Sequence, residues 1–189
     1  MRKFALLVCM LVVSLGLGGC PKAFKGAEAN LPPGIALGDR FYTRYSFQYE
    51  KNRHRTTNYR RGSLVPINTE VELVSWGRKG FQIRLLPDGP VIQIENVQKY
   101  TGDTIEQAFH KMLARRPVDL GRFTPRERRF IKAGKVAVGM RKEAVIAAIG
   151  YPPVTATPTL DLNEWRYWAS RFDTFIVRFR NGKVTAIVN

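Results

Sequence analysis

An α+β fold is predicted, and three observations carry the prediction. Between Arg40 and Val97, apolar and polar residues alternate in short runs separated by tight-turn signals. From Asp103 to Ile149 the apolar spacing changes to three and four, with a helix-start signal before the runs at Asp103 and Thr124. After Gly150 alternation returns and ends in an Asn-Gly hairpin. These give an N-terminal small antiparallel β-barrel or curled sheet with a closing helix over residues 39–118. A two-helix, three-stranded antiparallel sandwich follows over 119–189. Residues 1–19 and 20–38 stand apart as a leader and a tether.

The leader opens with Arg2 and Lys3, runs apolar from Phe4 to Leu17, and closes on Gly18-Gly19-Cys20. A cationic start, a short apolar middle and small residues before a cut are the layout of a secretory signal. The run falls short of the ~20 residues that a membrane-spanning helix needs. Leu17-Gly18-Gly19-Cys20 resembles the bacterial lipobox, in which a Leu and two small residues precede an acylated Cys. The resemblance implies cleavage between Gly19 and Cys20, then a diacylglycerol and an amide-linked acyl chain on Cys20. One chain binds a membrane marginally, at ~0.8 kcal/mol per buried CH₂, and two or more hold it firmly. A lipid-anchored envelope protein is expected. Pro21 stands where many enterobacterial lipoproteins retained at the inner membrane carry Asp, which favours the outer membrane, facing the periplasm. Pro21 to Gly38 mixes Pro, Gly, Ala and Lys without periodicity, as a tether does.

Once residues 1–19 leave, 170 of the 189 residues remain, enough for one large or two small domains. The 44% hydrophobic and 24% charged content fits an ordinary globular protein. Formal net charge is +16, or +14 without Arg2 and Lys3. Inside a cell that balance suggests nucleic acid. In an envelope the available polyanions are lipid phosphates, lipopolysaccharide, wall polymers and acidic proteins. Each Lys or Arg near an anionic surface contributes about 1 kcal/mol. The expected partners are therefore membrane lipid through Cys20 and an acidic envelope protein or polymer, not nucleic acid. Of the two cysteines, Cys9 leaves with the leader and Cys20 is acylated. No thiol then remains for a disulfide, catalysis or metal binding, and no cofactor is expected beyond the lipid on Cys20.

Phe41, Tyr45, Phe47 and Tyr49 share one parity, which predicts a half-buried strand over Arg40–Tyr49. The run from Lys51 to Gly62 is polar and basic; it reads as a solvated hairpin loop, with an anion-contact surface as the alternative. Strands are predicted at Glu70–Trp76, Gly80–Leu86 and Val91–Val97, and the short turns at Gly77 and Pro87-Asp88-Gly89-Pro90 make them consecutive antiparallel hairpins. The pattern is loosely similar to bacterial SH3-like domains. Asp103 to Leu113 is a predicted helix capped by Asp103 with Glu106 in a capping box. Its apolar face is Ile105, Phe109, Met112 and Leu113, and Pro117 closes it. His110 reads as a surface or packing residue.

Thr124-Pro125-Arg126-Glu127 is a second capping box, with Pro at the first helical position, and starts a short helix to about Lys132. Phe130 and Ile131 face inward. Lys111 to Lys142 is the densest basic region, and Arg115, Arg116, Arg126, Arg128 and Arg129 are its candidate anion- or partner-binding residues. The next helix is predicted over Met140–Ile149, with Met140, Ala144, Val145, Ala148 and Ile149 inward. Gly150 ends it in the left-handed conformation, and Pro152-Pro153 prevents resumption. Strands follow at Glu164–Ala169, Thr174–Arg180 and Lys183–Val188. Asn181-Gly182 joins the last two, since both residues accept positive φ.

Gly139-Met140, Val145, Gly150-Tyr151-Pro152, Trp165-Arg166-Tyr167 and Phe179-Arg180-Asn181-Gly182-Lys183-Val184 together resemble the SmpA/OmlA, or BamE-like, domain of bacterial envelope lipoproteins. The resemblance covers roughly residues 134–189. It implies a small non-catalytic lipoprotein supporting outer-membrane integrity, in the founding members by stabilising the β-barrel assembly machinery. Two features depart from the family: a long, mostly β segment precedes the domain, and Arg141 stands where Thr or Ser is common. The leading expectation is a binding or scaffold lipoprotein of the outer membrane, with outer-membrane protein assembly as its most specific form; the alternative is an anchored peptidoglycan- or peptide-binding or inhibitor module. Catalysis is not expected. His54 and His110 have no nucleophile elbow, metal spacing or phosphate loop nearby, and Asp161 and Glu164 read as the start of a strand.

Overall fold

The computed structural model describes residues 31–170 and 172–189. The leader, the Gly19–Cys20 cleavage and acylation site, and the tether up to residue 30 lie outside the described residues. In chain order the elements are β1 (Arg40–Thr43), β2 (Phe47–Tyr49), β3 (Arg53–Arg55), β4 (Ser63–Val65), β5 (Glu70–Gly77), β6 (Gly80–Leu85) and β7 (Val91–Glu95). Then come α1 (Gln98–Thr101), α2 (Ile105–Met112), β8 (Leu113–Ala114), α3 (Pro125–Lys132), α4 (Lys142–Ile149), β9 (Glu164–Trp168), β10 (Thr174–Arg180) and β11 (Lys183–Val188).

The α+β class holds. The N-terminal half is a curled six-stranded sheet in the order β3-β7-β6-β5-β1-β8. β5, β6 and β7 form the two predicted hairpins. The sheet is not wholly antiparallel, because β3 pairs with β7 in parallel at one edge. Val71 and Leu73, Phe81 and Ile83, and Ile92 and Ile94 are buried at alternate positions, so they share one face. Helix α2 supplies Phe109 and Met112 to the same core.

Several expectations change. The single strand over Arg40–Tyr49 is two strands in different sheets, since β1 joins β5 and β8 whereas β2 pairs with β4. Short polar side chains hold the bend: Thr43 Oγ1 donates to the Pro66 carbonyl and accepts from the Thr69 amide. The predicted solvated loop over 51–62 contains β3, with His54 and Tyr59 buried. The box that starts α2 is one residue later, Thr104 with Gln107. Asp103 instead accepts from Lys111 Nζ at 2.6 and 2.8 Å. Leu113 leaves the helix to pair in β8. Helix α4 starts at Lys142 rather than Met140, and Gly150 ends it at φ +83° and ψ −172°, not in the left-handed helical region. A Cβ there would stand 2.9 Å from the Tyr45 ring. The packed body also reaches back into the predicted tether, with Leu31, Ile35 and Leu37 against the N-terminal core.

In the C-terminal half, α3 and α4 pack with the three-stranded antiparallel sheet β11-β10-β9. Met140, Ala144, Val145, Ala148 and Ile149 are buried as predicted. Asn181 and Gly182 take φ +51° and +71° at the β10–β11 turn.

The two halves share residues. Tyr59 and Ile67 belong to the C-terminal core, and the Tyr59 hydroxyl donates to the Tyr151 carbonyl at 2.9 Å. Ser46, 1% exposed, is the densest link. Its amide donates to the Ala147 carbonyl, its hydroxyl donates to the Ile131 carbonyl at 2.7 Å, and its oxygen accepts from the Ile67 amide. Ser46→Ala leaves the Ile67 amide without a partner in the interior and takes one donor from the Ile131 carbonyl, which keeps the Gly134 amide. The expected loss is about 1–3 kcal/mol, read as a lower urea midpoint at unchanged slope; an unchanged midpoint means the junction does not depend on that hydroxyl.

Candidate anion-binding groove

Lys51 and Asn52 connect β2 to β3 at φ +49° and +57°, the positive-φ pair of a two-residue hairpin turn. Glu50 and Arg53 close the turn with backbone hydrogen bonds of 2.9 Å in both directions. Asn suits such a position; Lys is uncommon there. In β3 the alternation puts His54 inward and Arg53 and Arg55 outward, on one face about 7 Å apart along the strand. Asn58 then folds the chain back: its amide donates to the Gln48 and Arg61 carbonyls and its oxygen accepts from the Arg61 amide. Tyr59 enters the C-terminal core, and the Arg60 guanidinium lies 3.4 Å from the Phe175 ring centroid.

The turn, β3 and this loop form one wall of a groove of about 930 Å³. Tyr100 of α1 and Trp168 at the end of β9 complete it, their rings 5.8 Å apart. The groove carries Lys51, Arg53, Arg55 and Arg61. Two carboxylates face these four cations. Glu95 is shared by Arg53 at 3.7 Å and Arg55 at 3.3 Å, and Glu50 holds Arg61 at 2.8 Å. The excess is positive. The Trp168 Nε1 is buried without a hydrogen-bond partner, an unusual state for an indole N–H.

His54 is no base for neutral pH. It is 2% exposed and packs 4.6 Å from the Phe47 ring. Its Nδ1 lies 2.7 Å from the Gln48 carbonyl, which can only accept, so Nδ1 carries the proton. Burial pushes its pKa down to about 4. On the other side of Asn58 a smaller cleft of about 250 Å³ lies between the halves, lined by Tyr45, Tyr59, Asp103 and Lys111 among others. Burial raises the pKa values of Tyr45 and Tyr59, so both phenols stay neutral.

The basic residues singled out in the sequence differ in how far they are already engaged. Arg115 donates to Asp39 at 2.6 Å and to the Gly34 carbonyl at 2.8 Å, and stacks 4.4 Å from the Phe41 ring; it fastens residues 34–39 to the sheet. Arg116 is exposed. Arg126 and Arg129 flank Phe130 on α3, and Arg128 donates to the Phe123 carbonyl. Arg141 and Lys142 serve the fold: Arg141 clamps Glu127, and Lys142 Nζ donates to the carbonyls of Leu160, Asp161 and Leu162. His110 is exposed, 4.0 Å from Glu106 one turn earlier. Glu164 pairs with Arg178 and Asp161 accepts from Thr159. Neither carboxylate faces the other as a catalytic pair would.

Sequence reading noticed the 51–62 run but missed its aromatic wall, because Tyr100 and Trp168 come from elements distant in the chain. The available signal was the exposed–buried–exposed spacing of Arg53-His54-Arg55, readable as a strand if a neutral histidine counts as apolar. Among the described residues no group of three or more His, Cys, Asp or Glu side chains is placed to hold a metal. No described helix is long and apolar enough to cross a membrane. No family model, curated protein or solved structure matches the chain.

Proposed function

We propose that the chain is a lipid-anchored, non-catalytic binding protein of the bacterial outer membrane, facing the periplasm, and that it holds an acidic envelope partner in the groove of Lys51, Arg53, Arg55 and Arg61. The observation that carries this reading is the groove itself, where four cations meet two carboxylates beside an aromatic wall. The lipobox-like Leu17-Gly18-Gly19-Cys20 and the formal charge of +16 support it. Two helices, α3 and α4, over a three-stranded meander support the BamE-like reading of the C-terminal unit, residues 119–189, and with it a scaffold role in envelope integrity or outer-membrane protein assembly. Anchoring through Cys20 would confine the groove to a thin shell at the membrane, where weak contacts act at high effective concentration.

The test sets the groove against α3, with full-length protein in a zwitterionic detergent and poly-glutamate as the acidic probe. The Lys51→Gln/Arg61→Gln double variant is expected to bind at least about fivefold more weakly, since each cation near a polyanion contributes about 1 kcal/mol. Arg126→Gln/Arg129→Gln is expected to bind as the native chain does. The opposite pattern would move the site to α3, and unchanged binding in both variants would end the proposal.

A further inference from the structure

We infer that the groove takes a phosphorylated saccharide, with phosphate on the arginines of β3 and the loop that follows it and a sugar ring on the Tyr100–Trp168 wall. This rests on the binding role proposed above and names its ligand class. Two observations support it. Arginine presents a planar fork that matches phosphate oxygens two at a time, and three of the four groove cations are arginines. A polyanion without rings would need only the cations, yet one wall of the groove is aromatic. An aromatic face carries negative charge density, and the axial C–H bonds of a pyranose present a weakly positive face to it. At about 930 Å³ the groove is near the upper end of small-molecule sites, roughly 300–1,000 Å³, so it admits a disaccharide with its phosphates.

A flexible acidic peptide without aromatic side chains would engage the cations but leave the rings unused. A single-stranded nucleic acid would use both, and is the competitor to exclude by experiment.

The experiment is calorimetric titration of the full-length protein in zwitterionic detergent with four probes. They are a glucosamine disaccharide phosphorylated at both ends, the same disaccharide without phosphate, inorganic pyrophosphate, and a short oligothymidylate. The phosphorylated disaccharide is expected to bind up to about tenfold more tightly than any other probe, the margin one added stacking contact gives. Trp168→Leu is expected to remove that margin while leaving pyrophosphate binding unchanged, and Trp168→Phe, which keeps a ring but loses the N–H, to retain part of it. If Trp168→Leu lowers the melting temperature, Tyr100→Leu is read in the same way. Pyrophosphate binding as tightly as the phosphorylated sugar would overturn the inference. So would tighter binding of the oligothymidylate, or indifference to both aromatic substitutions. Poly-glutamate binding that persists and still depends on Lys51 and Arg61 would then leave the general acidic-partner reading standing, whereas its loss would remove both.

Discussion

Phe109→Ala is expected to destabilise the protein by about 3–5 kcal/mol, the range for truncating a buried aromatic side chain. Phe109 is 1% exposed and meets three other rings edge-on: Phe41 at 5.1 Å, Phe81 at 5.1 Å and Trp76 at 5.4 Å. Each edge-to-face pair contributes about 0.5–1.5 kcal/mol beyond simple burial, though pairs sharing one ring do not add independently. The three partners come from β1, β6 and β5, so this side chain is where α2 closes the sheet. Phe109→Leu keeps most of the volume and is expected to lose less than half as much. Urea unfolding followed by circular dichroism measures both. A Phe109→Ala loss below about 1 kcal/mol would mean that the helix is not what holds the sheet closed.

How far the fold could be read from the chain depends on where each signal resides. The hairpins at Gly77 and Asn181-Gly182 and the box at Thr124-Glu127 are local signals, in which spacing and turn chemistry lie within a few residues. All three appear where predicted. The β1–β2 break was not legible, because Tyr45 and Phe47 keep the buried parity through the bend and its cause lies far along the chain, at Pro66, Thr69 and Met112. The parallel edge strand was hidden for a related reason. Arg53-His54-Arg55 carries no apolar residue, and its burial depends on Phe47 packing over the imidazole. The groove was half-legible: its cations lie in one short run of sequence, but Tyr100 and Trp168 reach it only through the junction of the halves. Local charge density does not tell which cations are already paired. Arg115, Arg141 and Lys142 look like a displayed basic surface and are instead spent on Asp39, Glu127 and the 160–162 carbonyls.

Glu127→Gln is expected to remove one of two separate steps in the acid unfolding of this protein. Glu127 is 4% exposed, caps α3 through the Thr124 amide, and accepts three hydrogen bonds from Arg141: from Nε and the backbone amide on Oε1, and from Nη2 on Oε2. Hydrogen bonding from Arg141 holds its pKa at about 2, against 4.5 when unperturbed. The folded state thus favours the carboxylate, and the stability it contributes is complete above pH 4.5 and lost as pH falls towards 2. His54 works over a higher range. Burial depresses its pKa from 6.5 to about 4, so the unfolded chain binds a proton over that interval that the folded chain refuses, and stability is complete above pH 6.5 and lost on the way down to 4. Native protein should therefore weaken in two stages, one above and one below about pH 4.3. His54→Gln retains a donor for the Gln48 carbonyl and should flatten the upper stage alone. Glu127→Gln should flatten the lower stage and also destabilise at neutral pH, because an amide NH₂ would face the donors of Arg141. Its cost is expected near the lower end of the ~3–5 kcal/mol for breaking a buried ion pair, since Arg141 keeps 41% of its side chain in water. Urea midpoints between pH 2.5 and 7.5 decide it. A lower stage that persists in Glu127→Gln would assign acid lability to other carboxylates, with Asp39, whose pKa is also lowered by Arg115, the next to replace.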